Sequence, residues 1–262
     1  MGTAWARALL TALTPVSWIC IAAWIAILVA LPIVKGLWGQ AAMRRGVTLG
    51  VIAQAASVLS ILQPVWGWAW TAGIALGVVT MGWSVEFLGS RTGFPFGRYH
   101  YTGLLQPQLG RVPVIIPVAW LMMLPPSWAV ARLIAGQGGV AFVVVSALAF
   151  TAWDLFLDPQ MVGWELWLWD QPGQYCRRDR SGGIPWVNFA GWLLASGVMT
   201  ALLWPAVARA GALPVAALSL VYGITWLLET VGLGIIWRQP RPAVAGFVGM
   251  GVVLVWAWAR VG

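Results

Sequence analysis

Cysteine, histidine, lysine and acidic side chains are all scarce in this chain. Its 262 residues include two cysteines, one histidine, one lysine and seven carboxylates, and charged residues make up only 8%. Cys20 falls in an apolar run and Cys176 in a polar loop, so no disulfide framework is expected. The lone His100 cannot build a histidine-rich metal site, and no metal is expected. No glycine-rich phosphate loop is present, and no dinucleotide fingerprint follows a strand. These absences argue against nicotinamide, flavin and histidine-ligated iron chemistry, and no cofactor is expected.

Apolar sequence dominates what remains: 61% of residues are hydrophobic and the mean hydropathy is +0.84. Runs long enough to cross about 30 Å of hydrocarbon cover roughly 16–35, 46–63, 68–88, 113–134, 139–158, 186–207, 212–235 and 242–260. The second is interrupted by Gln54, Ser57, Ser60 and Gln63, so the count is eight, or seven if that run does not cross. Pro125 and Pro126 are expected to kink or break the fourth. The runs are continuous rather than alternating, which specifies helices and not a barrel. The first is too long for a signal-peptide core and is read as structure. The expected fold is all-α: one polytopic helical membrane domain over 1–262, with no room for a soluble domain.

The net charge of +8 is a topology signal rather than a nucleic-acid footprint. Loops after the odd-numbered spans hold Lys35, Arg44, Arg45, Arg91, Arg98, Arg111, Arg177, Arg178, Arg180, Arg238 and Arg241, eleven of the 15 basic residues. Only Arg7, Arg132, Arg209 and Arg260 lie on the other side. The excess assigns the odd loops to the cytoplasm and both termini to the outside of a cell membrane. Arg177, Arg178, Asp179 and Arg180 read as a cytoplasmic anchor.

Four of the seven carboxylates sit in or at the edge of apolar runs: Glu86, Asp154, Asp158 and Glu229. A carboxylate in hydrocarbon costs several kcal/mol unless neutral, paired or wet, which marks these as functional candidates. All four fall toward the cytoplasmic ends of their spans, beside Asn188 at the start of the sixth, as a site mouth near that face requires. Asp154 and Asp158 are four apart and share a helix face. Two carboxylates that close in a low dielectric do not both ionise readily, an arrangement suited to a general acid beside a general base. The plainer reading of Asp158 is a wet helix end before Pro159. Residues 89–113 bring Arg91, Arg98, Tyr99, His100 and Tyr101 close together, as site-building or as interfacial anchoring. The loop after span five, with Trp164, Glu165, Trp167, Trp169 and Asp170, reads as a segment lying in the headgroup plane. Glu229 is either a site group or a partner for an arginine at the mouth. Trp120, Trp153 and Trp192 are candidates to face an internal cavity.

Three blocks carry a family resemblance: EFLGSRTGFPFGRYHYTGLLQPQLGRVPVIIPVAW at 86–120, AWDLFLDPQMV at 152–162 and GGIPWVNFAGW at 182–192. In order and spacing they resemble the membrane-embedded carotenoid biosynthesis proteins whose characterised members are carotenoid 1,2-hydratases. The resemblance covers the middle half of the chain; the flanking spans match only as hydrophobic segments. It implies addition of water across the terminal C1–C2 double bond of an acyclic ψ end group, giving a tertiary alcohol. The partners it implies are a hydrophobic carotenoid, the bilayer, water as co-substrate and neighbouring carotenoid-pathway enzymes. Such an alkene needs a strong, positioned proton donor, aromatic faces for the resulting cation, and a base for the attacking water. The expected catalytic carboxylates are Asp154 as leading acid and Asp158 or Glu86 as base. Tyr99, His100, Trp120, Trp153 and Asn188 are expected to shape the pocket, Glu229 to line it, and Arg91 to pair with a carboxylate.

Three other readings compete. DLFLD suits the magnesium–diphosphate site of a membrane prenyltransferase, although that class uses two aspartate-rich motifs and only one is present. A non-catalytic carotenoid- or lipid-binding protein would explain the aromatic content without a buried acid. A transporter would use intramembrane acids as proton relays, although acids gathered at one face rather than the midplane count against it.

Overall fold

Thr14 caps the first long helix by accepting from the Ser17 amide (3.1 Å), and Pro15 occupies the opening position, where its missing N–H costs nothing. The helical stretch that follows, Pro15–Thr92, has 78 residues, about 117 Å if it were straight. It is not straight. Gly39 (φ 78°) and Gly67 (φ 73°) leave the helical region, a conformation that favours glycine, and divide the stretch into α1 (15–38), α2 (40–66) and α3 (68–92). The Ser17 hydroxyl donates to the Ser60 carbonyl (3.1 Å), and Gly46 and Gly50 sit against Leu31 and Leu28, so α1 and α2 form an antiparallel hairpin about Gly39. The remaining helices are α4 (Ile115–Ala135), α5 (Gly139–Gly163), α6 (Trp186–Ala210), α7 (Val215–Val231, continued by a π turn Gly232–Ile236) and α8 (Pro240–Ala259). Six helices are long and apolar enough to cross a membrane when Pro15–Thr92 is counted once. Resolved at its two glycines, the described chain has eight long helical segments.

This computed structural model describes residues 8–171, 173–178 and 182–260, the side chains of 177 and 178 excepted. Arg7, Asp179 and Arg180, used above for orientation and anchoring, lie outside the described residues.

Helix α4 is the core of the bundle, and every residue from Trp120 to Ala131 is buried. Pro125 and Pro126 bend no boundary into it; the helix runs through both. A helix enclosed on all sides can keep two prolines because its neighbours hold it in place. Polar ties between helices are few and specific. Gln54 donates to Thr225 (3.0 Å), the Trp128 indole to Thr200 (3.0 Å), and the Tyr222 hydroxyl to the Ala149 carbonyl (2.9 Å). The outer surface carries exposed Ile19, Val29, Ile33, Leu76, Leu202 and Val252, as a lipid-facing surface should.

One end of the bundle is capped by the α3–α4 and α5–α6 connections, which form three short antiparallel ladders. β1 (Tyr99–Tyr101) pairs with β4 (Trp167–Trp169), β2 (Gln108–Leu109) with β3 (Val112–Pro113), and β5 (Tyr175–Arg178) with β6 (Gly182–Ile184). The all-α fold is as expected, and only the segment holding Trp167 and Trp169, expected to lie in the headgroup plane, departs from the sequence reading. Instead the two long loops zip together across 68 residues of sequence, with Tyr99 opposite Trp169 and Tyr101 opposite Trp167.

Candidate active site

Helix α5 does not stop at Asp158. It passes through Pro159 to Gly163. Pro159 has no N–H for the Leu155 carbonyl four residues back, and the Tyr175 hydroxyl of the cap supplies the missing donor at 2.9 Å. Burial pushes the Tyr175 phenol well above its ordinary value, so it stays a donor. Asp154 and Asp158 are therefore both buried, one turn apart on one face. Asn188, in the first turn of α6, bridges them: its Nδ2 donates to Asp154 Oδ2 (2.9 Å) and to Asp158 Oδ2. The Trp167 indole, coming down from β4, donates to Asp158 Oδ1 at 2.9 Å. Two buried polar atoms have no protein partner here, Asp154 Oδ1 and Trp153 Nε1.

The third carboxylate is fastened from two other directions. Strand alternation turns Tyr99 and Tyr101 to one side of β1 and His100 to the other. Both phenols donate to Glu86 Oε2, Tyr99 at 2.5 Å and Tyr101 at 2.7 Å, and the Trp120 indole of α4 donates to Oε1 at 3.0 Å. Burial, reinforced by the Glu86 charge, holds both phenols well above their ordinary range, so they act as neutral donors.

Glu86, Asp158 and Asn188 open onto one chamber of about 70 Å³, whose walls are otherwise almost wholly apolar and aromatic. Asp154 stands behind Asp158 and does not reach the wall. Trp120 and Trp192 stack at 4.8 Å with planes 4° apart, and Trp153 meets Trp192 edge-on at 6.1 Å. Along α2 and the start of α4 the chamber is bounded by Val47, Thr48, Val51, Ile115 and Ile116. A larger chamber of about 290 Å³ adjoins it and shares Val47, Val51, Met122, Trp153, Leu157 and Met161. Glu229 lies in that second space, accepting from Gln160 at 3.4 Å.

The structure thus brings together Glu86, Asp154, Asp158, Tyr99, Trp120, Trp153 and Asn188, and sets Glu229 next door. Arg91 and His100 stay outside. The Arg91 guanidinium lies 3.5 Å from the centre of the Phe87 ring and donates to the Gly110 carbonyl rather than to a carboxylate. His100 pairs with Asp170 at 3.1 Å with both side chains more than half exposed (58% and 54%). Among the described residues no group of three or more histidine, cysteine or acidic side chains is arranged to hold a metal ion.

The sequence profile of the carotenoid biosynthesis proteins matches residues 45–254, which contain every one of these groups. The chain belongs to that family. A curated relative, bisanhydrobacterioruberin hydratase of Haloarcula japonica, is 34% identical over 145 residues. That match covers 53% of this chain and 47% of the relative, so the chain spans about half the length of the curated protein it matches. No solved structure matches it.

For this carotenoid biosynthesis protein, sequence reasoning placed Trp167 in an interfacial segment and left Tyr101 between site-building and anchoring, and both bond a buried carboxylate. A partial signal was present in YHY, where a polar residue between two aromatics fits a strand that sends every second side chain inward; the wholly apolar WLW carries no such alternation.

Proposed function

We propose that this membrane protein is a carotenoid hydratase that adds water to the terminal C1–C2 double bond of an acyclic ψ end group. The observation that carries this reading is that Asp158 and Glu86, each fixed by hydrogen-bond donors, open onto one aromatic chamber. The hydratase relative is consistent with it. As it stands the chamber admits a few waters and is smaller than the roughly 150 Å³ that takes up a benzene ring. The unbranched Met122 and Met161 in its wall can yield to an incoming end group.

The Asp154–Asp158 pair holds the acidic proton, and Asp158, the member at the wall, delivers it to C2. The electron pair of the double bond forms the new C–H bond and leaves a tertiary cation at C1. Trp120, Trp153 and Trp192 present ring faces and edges to that cation. Water bonds to C1 through oxygen and loses a proton to Glu86, which Tyr99, Tyr101 and Trp120 hold in place. That proton returns to the aspartate pair through chamber water, so one water is consumed per turnover. Asp154, reached through Asn188, orients and charges the acid. The alkene enters from the bilayer between α2 and α4, and product returns to the bilayer for the next pathway enzyme. The capped end carrying the site is the cytoplasmic one, with both termini outside.

A magnesium-dependent prenyl transfer is less well supported. The partners of the DLFLD carboxylates are nitrogen donors, the Asn188 amide and the Trp167 indole, where magnesium would need oxygen ligands.

Expression in a lycopene-accumulating bacterium, with mass spectrometry of the pigments, tests the reading. A gain of the mass of one water with unchanged polyene absorption is expected. Asp158→Asn and Glu86→Gln should each reduce that product by about 100-fold or more. If lycopene, a monocyclic precursor and a C50 precursor all emerge unhydrated with the protein present in the membrane, the proposal fails.

A further inference from the structure

The second chamber has no part in the chemistry above, yet it is the larger space, and its lining differs in kind. Gln54, Gln160 and Glu229 all face it. Gln160 donates to Glu229 Oε2 (3.4 Å), and Gln54 donates to Thr225. Glu229 Oε1 and the Gln54 amide oxygen take no hydrogen bond among the described residues, which leaves two acceptors turned toward open space. The wall shared with the reaction chamber includes Trp153, whose buried Nε1 is a donor without a partner. A buried indole N–H ordinarily finds a partner, in protein or in water. At its other end the chamber reaches the capped face between α1 and the π turn of α7, at Ile236 and Trp237, where the Lys35 ammonium lies 5.0 Å from the centre of the Trp237 ring.

We propose that this chamber stores the co-substrate water and delivers it across the shared wall to the reaction chamber, with Glu229, Gln160 and Gln54 as its polar lining. This rests on the hydratase reading. Hydration consumes one water per turnover at a site whose α2–α4 side is largely aliphatic and is closed by the substrate itself, so water needs a separate route. A space of about 290 Å³ accommodates several waters at about 30 Å³ each. Orphan donors and acceptors of this kind are the groups that would order them. Glu229 and Gln160 are positioning residues here, acting through water rather than on the alkene.

Thiol labelling in native membrane vesicles tests the water content independently of catalysis. In a Cys20→Ser, Cys176→Ser background, Leu228→Cys, which lines the chamber, should react with a charged methanethiosulfonate, and Leu227→Cys, 56% exposed on the outer surface, should not. If Leu228→Cys resists the charged reagent, the chamber is a lipid or polyene groove and the proposal is overturned. Reaction with an apolar maleimide alone would identify that groove directly. This outcome does not depend on whether any pigment is hydrated. In the activity arm, combined Glu229→Leu and Gln160→Leu should lower turnover about tenfold with pigment retention unchanged, a loss in kcat rather than KM. Glu229→Gln should retain most of the activity. Undiminished turnover in the double-leucine variant would also overturn the proposal.

Discussion

Trp167 and His100 are near neighbours on the β1–β4 ladder and meet opposite environments. Trp167 stands opposite Tyr101 and points down to Asp158, whereas His100 stands opposite Leu168 and points out to Asp170. Trp167→Phe keeps the ring but removes the hydrogen bond that orients the acid. Because a bond to a charged or acidic group is worth about 1.5–3 kcal/mol, hydrated product should fall by about tenfold or more at equal protein. His100→Ala removes an exposed pair worth at most about 1 kcal/mol and should leave product within about twofold. Pigment profiles of the two variants side by side check both. The three catalytic candidates were legible in the sequence because an acid in an apolar run is conspicuous wherever it lies. His100 and Arg91 were overrated for the same reason: a rare residue type draws notice, while its orientation depends on strand register and on which ring or carbonyl lies near it.

At the scale of elements, the site depends on how closely α6 approaches the cap. A Cβ at Gly191 would lie 2.6 Å from the Pro95 carbonyl oxygen, a backbone atom that cannot swing aside. Gly191→Ala should therefore push α6 from the 94–96 turn and move Asn188 off the aspartate pair. An overpacked contact of this sort costs about 1–3 kcal/mol, visible as a lower midpoint in a thermal melt of the detergent-solubilised protein. The apolar runs located the helices to within a few residues, since hydropathy is a local property. The exceptions were at prolines. Pro159 looked like a stop and is an interior residue, because Tyr175, 16 positions later in the chain, supplies the donor that the helix lacks. Pro125 and Pro126 looked like a kink or a break, and the central helix runs unbroken through both. Local sequence registers a missing N–H but not the neighbour that compensates for it.

For the whole molecule, an even number of spans leaves both ends on one face. The orientation proposed above, with the basic capped end toward the cytoplasm, puts both termini outside. A phosphatase fused after Gly262 should be active and a green fluorescent protein fused there should stay dark; the reverse pattern would invert the assigned topology. Hydropathy and charge act along the chain and need no partner, so the sequence alone determined the membrane class, the apolar helical runs and the gathering of carboxylates toward one end of the bundle. Only the tertiary structure decided which polar groups meet. Glu86 depends on Tyr99, Tyr101 and Trp120, and Asp158 on Trp167 and Asn188, across four helices and two paired loops. A buried carboxylate is stable only where such donors converge, and that convergence follows from packing between distant segments rather than from any one of them.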